Sequence, residues 1–128
     1  MPFNSVIDAS RNLVISTATG DLTGDEVFAR CLQLKERDDF NPAFNQLLDF
    51  TRAHRFDATA DQLRRIASEP LFSSASRRAI VATNPTIFGL ARMFEAYRSI
   101  SDVGEDVRVF REMREALAWL DARFQDAL

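Results

Sequence analysis

Several residue types on which enzymes and secreted domains rely are nearly missing from this chain. There is one cysteine, Cys31, and one histidine, His54. No internal disulfide can form, in keeping with a reducing compartment, and any His-dependent mechanism must run through a single side chain. Lys35 is the lone lysine, so arginine supplies nearly all the positive charge, and the net charge of -3 leaves no dense positive field for nucleic acid or an anionic membrane. No apolar run approaches the ~20 residues of a transmembrane helix. Met1-Pro2-Phe3-Asn4 has neither the basic start nor the apolar core of a signal peptide, so the expectation is a cytoplasmic protein. Also missing are a glycine-rich phosphate loop, a Ser-His-Asp set and clustered Cys or His ligands. The sequence therefore gives no reason to expect a cofactor, a bound metal or an enzyme.

What is present is globular: 128 residues, 46% hydrophobic and 27% charged, with no repeat or linker-like tract to divide them. The reading is one domain over 1–128. Arg78-Ala79-Ile80-Val81-Ala82-Thr83 is a short apolar, β-branched run of the kind buried on both faces of a parallel sheet. Asn84 can cap the next helix and Pro85 fits its first position, so a helix is expected from Thr86 to about Ile100.

Earlier, Phe3 to Ile7 and Leu13 to Ala18 read as strands joined by the turn formers Asp8 to Asn12, with Gly20-Asp21 breaking the second. Thr23-Gly24-Asp25-Glu26 is a capping box opening a helix to about Asp38, with Val27, Phe28, Cys31, Leu32 and Leu34 inward. Gln46 to Thr51 is the third strand, followed by a loop from Arg52 to Ala58. Thr59-Ala60-Asp61-Gln62 caps a helix to Glu69, and a serine-rich connection from Leu71 leads to the fourth strand. Ser101 to Gly104 ends the following helix, Asp106 to Phe110 is the fifth strand, and a last helix runs from Arg111 to about Phe124 with Met113, Leu117, Leu120 and Phe124 inward. The order β-β-α-β-α-β-α-β-α predicts an α/β fold with a mostly parallel five-stranded sheet, an antiparallel N-terminal edge strand and four helices.

Ligands of open parallel sheets bind beyond the carboxyl ends of the strands, where helix N-termini also point. That rule selects Gly20 and Asp21, the segment from Thr51 to Thr59, Asn84 and Thr86, and Arg111. Asp49, inside an apolar strand, requires a partner, either an arginine or loop amides. The arginine groups Arg52/Arg55, Arg64/Arg65 and Arg77/Arg78 are interleaved with acids and read as salt-bridged surface; Asp38-Asp39 and Glu105-Asp106 read as solvated turns. The helix after Asn84 carries apolar residues beyond one stripe, with Phe88, Met93, Tyr97 and Ile100 added to Ile87, Leu90 and Phe94. Such a surplus calls for a second contact, whether a partner, a ligand or covering loops.

The strand order and the phrases Leu47-Leu48-Asp49-Phe50-Thr51, Gly89-Leu90-Ala91-Arg92-Met93-Phe94-Glu95-Ala96 and Glu115-Ala116-Leu117-Ala118-Trp119-Leu120 resemble the SpoIIAA-like group, small bacterial proteins of the STAS type. Their kin are anti-sigma-factor antagonists and, more distantly, Sec14-like lipid carriers. The resemblance implies a SpoIIAA-like fold and a non-enzymatic regulatory module that binds a protein partner or associates with itself. By the Sec14 kinship it also implies a carrier of a small apolar ligand as an alternative. In the antagonists an Asp-Ser-Ser-Gly motif starts the helix after the third strand, and its first serine accepts phosphate from a partner kinase. Asp57-Ala58-Thr59-Ala60 takes that place here. Asp57 matches, Ala58 lacks the hydroxyl, Thr59 replaces the second serine and is the one candidate phosphoacceptor, and Ala60 replaces the glycine. The binding candidates are thus Asp57, Ala58, Thr59, Asn84, Thr86, Phe88, Arg92 and Tyr97.

Overall fold

A computed structural model describes residues 2–100 and 105–126. The strands are β1 (Phe3–Asp8), β2 (Leu13–Thr23), β3 (Asn45–Asp57), β4 (Arg77–Val81) and β5 (Asp106–Phe110). The α-helices are α1 (Gly24–Lys35), α2 (Ala60–Ser68), α3 (Pro85–Ile100) and α4 (Met113–Asp126). The strands form one sheet in the order β1-β2-β3-β4-β5. β1 is antiparallel to β2 and every other pair is parallel, as the element order predicts. The expected end of α3 at Ser101 to Gly104 lies outside the described residues, as does the side chain of Phe124.

Sequential strand order has a packing consequence. Each parallel crossover steps in the same direction, so crossovers of one hand leave their helices on one face. Residues of α1, α2 and α3 share a core with Val14, Leu48, Phe50 and Ile80. α4, which crosses nothing, covers the other face over Leu47, Ala79 and Val81 through Ala116 and Leu120. Period-two alternation sends successive residues of β3 and β4 into these two cores, which is why both strands read as unbroken apolar runs.

The helix starts follow from local chemistry. Asn84 Oδ1 accepts from the amides of Thr86 and Ile87 at 2.9 and 3.2 Å. Thr59 and Gln62 form a full capping box. At Thr23 only half of one forms: the hydroxyl accepts from Glu26 N at 3.2 Å, but the Glu26 carboxylate meets that hydroxyl rather than the Thr23 amide. Thr23 is still part of β2, in register with Asp57.

Several expectations are corrected. Leu32 is exposed, because Val27, Cys31 and Leu34 already fill the inward stripe of α1. β2 does not end at Ala18, and the expected loop from Arg52 is strand as far as Asp57. Gly20, at φ +65°, sits within an irregularity of β2 rather than at its end. Half of the α3 surplus is covered from within: the Arg111 guanidinium lies 4.0 Å from the Phe88 ring centre and that of Arg64 lies 5.2 Å from Tyr97. Met93 and Ile100 keep 37% and 77% of their surface exposed.

Candidate functional site

The carboxyl end of the sheet is built around an overhang. β3 pairs with β4 only as far as Asp49, but with β2 as far as Asp57 opposite Thr23. Beyond the common sheet, β2 and β3 therefore continue as a two-stranded ribbon, anchored by buried Leu22 and Ala53 and by Phe56 stacked 5.6 Å from Phe50. Each strand then turns directly into a helix. Gln62 on α2 reaches Asp25 of α1 at 3.4 Å, and a Cβ on Gly24 would stand 2.8 Å from Gln62 Oε1. The starts of α1 and α2 thus abut, bringing two partial positive charges to one place.

The 57–60 loop lies at this junction. Asp57 is exposed and its Oδ2 pairs with Arg55 Nε at 3.1 Å. Thr59 is exposed; its hydroxyl oxygen accepts from Gln62 N at 3.1 Å while Gln62 Oε1 accepts from Thr59 N at 2.9 Å. Ala58 is half-buried between them. The α3 candidates form a second group: Asn84 as cap, Thr86 exposed in the first turn, Phe88 under Arg111, and Arg92 on the solvent side paired with Glu95 at 3.3 Å. Tyr97 lies farther along α3, against Arg64 of α2. An apolar hollow of about 40 Å³ is lined by Phe56 of β3 and Leu63 of α2 together with Ile87, Leu90 and Phe94 of α3. Cys31 also borders it. Burial pushes that thiol above its ordinary range, the Arg78 charge opposing, so it behaves as a small hydrophobe. Asp49 finds its partner locally, in the amide and hydroxyl of Thr51 at 2.9 and 2.6 Å. His54 is an exposed strand residue, and Ser76 is buried with its hydroxyl donated to Pro42 O at 2.7 Å.

At the amino end of the sheet lies a feature that the sequence reading missed. Arg78 and Glu105, expected at the surface, are both buried, and so is Arg98. Glu105 Oε1 accepts from Arg78 Nη1 at 2.7 Å and Oε2 from Arg98 Nη2 at 2.6 Å, while Arg98 Nη1 donates to Ala67 O. Arg78 Nε donates to Gln46 Oε1 at 2.8 Å, Gln46 Nε2 to Ser16 Oγ at 2.9 Å, and Ser16 meets Ser5 at 2.8 Å. One polar chain thus crosses from β1 to α3. The Phe72 and Phe94 rings lie 4.9 and 5.3 Å from the Arg78 guanidinium. Burial acts most strongly on Glu105 and opposes its ionisation. The Arg78 charge and hydrogen bond, a backbone amide and the Arg98 charge outweigh it and hold the carboxyl below its usual range. The sequence signal was Arg78 at the mouth of an apolar strand, where a charge needs a counter-ion.

Among the described residues no three His, Cys, Asp or Glu side chains are grouped to hold a metal ion, and no helix is long and apolar enough to cross a membrane. No protein-family model matches the chain and no curated protein does. A solved structure does: an uncharacterised protein from the DUF3478 family with a SpoIIAA-like fold, from Shewanella loihica PV-4, aligns over 92% of this chain and 91% of its own at 20% identity and a TM-score of 0.56. The chain has the SpoIIAA-like fold. In this SpoIIAA-like chain the 57–60 segment runs from the last residue of β3 to the first of α2, at the start of the helix after the third strand.

Proposed function

We propose that this chain is a non-enzymatic regulatory module of SpoIIAA-like fold that binds a protein partner through the 57–60 loop and the exposed side of α3. The observation that supports this reading most is the overhanging ribbon, which carries Asp57 and Thr59 past the sheet to the abutting starts of α1 and α2, exposed and within reach of a partner. The charges that are strongly engaged lie instead in the buried cluster at the opposite end, where they hold structure. A photo-crosslinking residue placed at Ala58 in the native cells tests the proposal. Expected is a crosslink to a defined protein that is lost in Met93→Asp and in Asp57→Arg. Equal crosslinking in both variants overturns it.

A second reading keeps phosphorylation and assigns it to Thr59. It is favoured by the exposure of that hydroxyl at a helix N-terminus, where a phosphate would meet free amides and the helix dipole. Phosphopeptide mass spectrometry on protein from its native cells decides it: unmodified Thr59 under every growth condition sampled removes the switch and leaves the partner surface. The carrier reading has less support. A hollow of about 40 Å³ is far below the ~300 Å³ and more of pockets that enclose small molecules, so a lipid-like occupant would have to part α2 from α3.

A further inference from the structure

The sheet has an open side whose chemistry points to a different interaction. Among the described residues no strand pairs with the outer edge of β1. Antiparallel pairing with β2 uses the backbone of every second residue. Thr19 N donates to Pro2 O at 2.7 Å, so in the register Asn4↔Thr17 and Val6↔Ile15 it is residues 2, 4 and 6 that bond inward. The amides and carbonyls of Phe3, Ser5 and Ile7 point outward. A side chain confirms the direction: Arg37 Nη1, from just beyond α1, donates to Ser5 O at 3.0 Å. That guanidinium occupies the position an N–H of a further strand would take, and it is held there by Asp39, which it meets at 3.0 and 2.9 Å.

Beside this edge runs a groove of about 260 Å³, with Phe3, Asn4 and Ser5 on the strand side and Arg30, Gln33, Leu34 and Arg37 on the α1 side. An unpaired strand lying along a helix is the geometry in which an extended peptide adds to a sheet, its backbone bonding to the edge and its alternate side chains facing the helix. The ionisable side chains lining the groove are both arginines, Arg30 bonded to Gln33 Oε1 at 2.8 Å and Arg37 to the exposed Asp39 carboxylate. We propose that the β1 edge accepts an extended acidic peptide as an added strand, with carboxylates at alternate positions directed at Arg30 and Arg37. The incoming N–H takes over Ser5 O, and the displaced Arg37 guanidinium exchanges its exposed Asp39 partner for a peptide carboxylate. This surface is at the far end of the sheet from β5 and α3, so its failure and that of the 57–60 surface are separable.

The test uses the full chain and two fluorescent peptides of alternating valine with either glutamate or lysine. Expected is saturable binding of the glutamate peptide, at least tenfold tighter than the lysine peptide and weakened by salt. Hydrogen exchange at the Phe3, Ser5 and Ile7 amides should slow on binding, and Arg37→Glu should lower affinity at least tenfold with the thermal midpoint little changed. Ser5→Pro, which deletes one outward N–H, gives a second variant; it should weaken the glutamate peptide and leave its residual binding salt-sensitive. The proposal is overturned by equal binding of both peptides, by binding without protection of the three amides, by unchanged affinity in Arg37→Glu, or by an edge already closed through self-association.

Discussion

The two ends of the sheet use charge in opposite ways. At the amino end, Arg78, Glu105 and Arg98 are withdrawn from water and bonded to one another. At the carboxyl end, Asp57, Thr59, Thr86 and Arg111 stand in solvent around helix starts. Buried charges that are paired with one another depend on those partners, and removing one strands the others. Exposed caps and pairs contribute little each, which leaves them free to change. The contrast teaches that strongly engaged ionisable groups here mark the frame, and that the surface open to selection lies at the other end.

Five experiments sharpen or break that contrast. Glu105→Gln removes the carboxylate shared by two buried arginines and should cost about 3–5 kcal/mol in urea unfolding, with Arg78→Met/Glu105→Leu/Arg98→Met recovering most of the loss; equal losses in both variants would remove the cluster as the cause. The same carboxyl sets an acid limb. Because it is held below its usual range in the folded chain, the unfolded chain binds more protons as the medium acidifies. The stability it contributes is therefore present in full above the ordinary glutamate pKa of ~4.3 and is lost as pH falls through the lower folded value. Urea midpoints between neutral pH and about pH 3 should fall less steeply in Glu105→Gln than in the parent chain. At the other end, Thr59→Ala should cost about 1 kcal/mol through the lost cap. Gly24→Ala should approach that value without a substitution in the loop, since its methyl group displaces Gln62 from the capping box; an unchanged thermal midpoint in Gly24→Ala would mean the two helix starts are not coupled. Smallest is Arg111→Ala, which uncovers Phe88 and should cost about 0.5–1 kcal/mol, measured by the same denaturation.

The sequence made the element order, the caps at Asn84 and Thr59 and the parallel sheet readable, because each rests on local chemistry or period-two alternation. The overhang was not readable, and the register explains why. Between Asp49 and Asp57, β3 spends one residue more than β2 at each of two irregularities. Its inward residues consequently become Phe50, Ala53 and Phe56, spaced by three, a pattern no strand template matches. Gly20-Asp21 looked like a terminus for the same reason. Arg78 and Glu105 were misread because they are partners separated by 27 residues, a pairing that becomes visible only once β4 and β5 lie side by side. The 57–60 segment was located by resemblance, but its exposure and its closeness to α1 depend on the length of β3.

Arg78 has one more effect: it also borders the small hollow beneath α2 and α3. Toward Glu105, its guanidinium is a charged group in an otherwise apolar lining. An occupant that grew longer in that direction would have to strip Glu105 of a counter-ion, at a cost no added carbon could offset. Any widening of the hollow on that side would thus disturb the ionic cluster, however far the apolar walls were loosened.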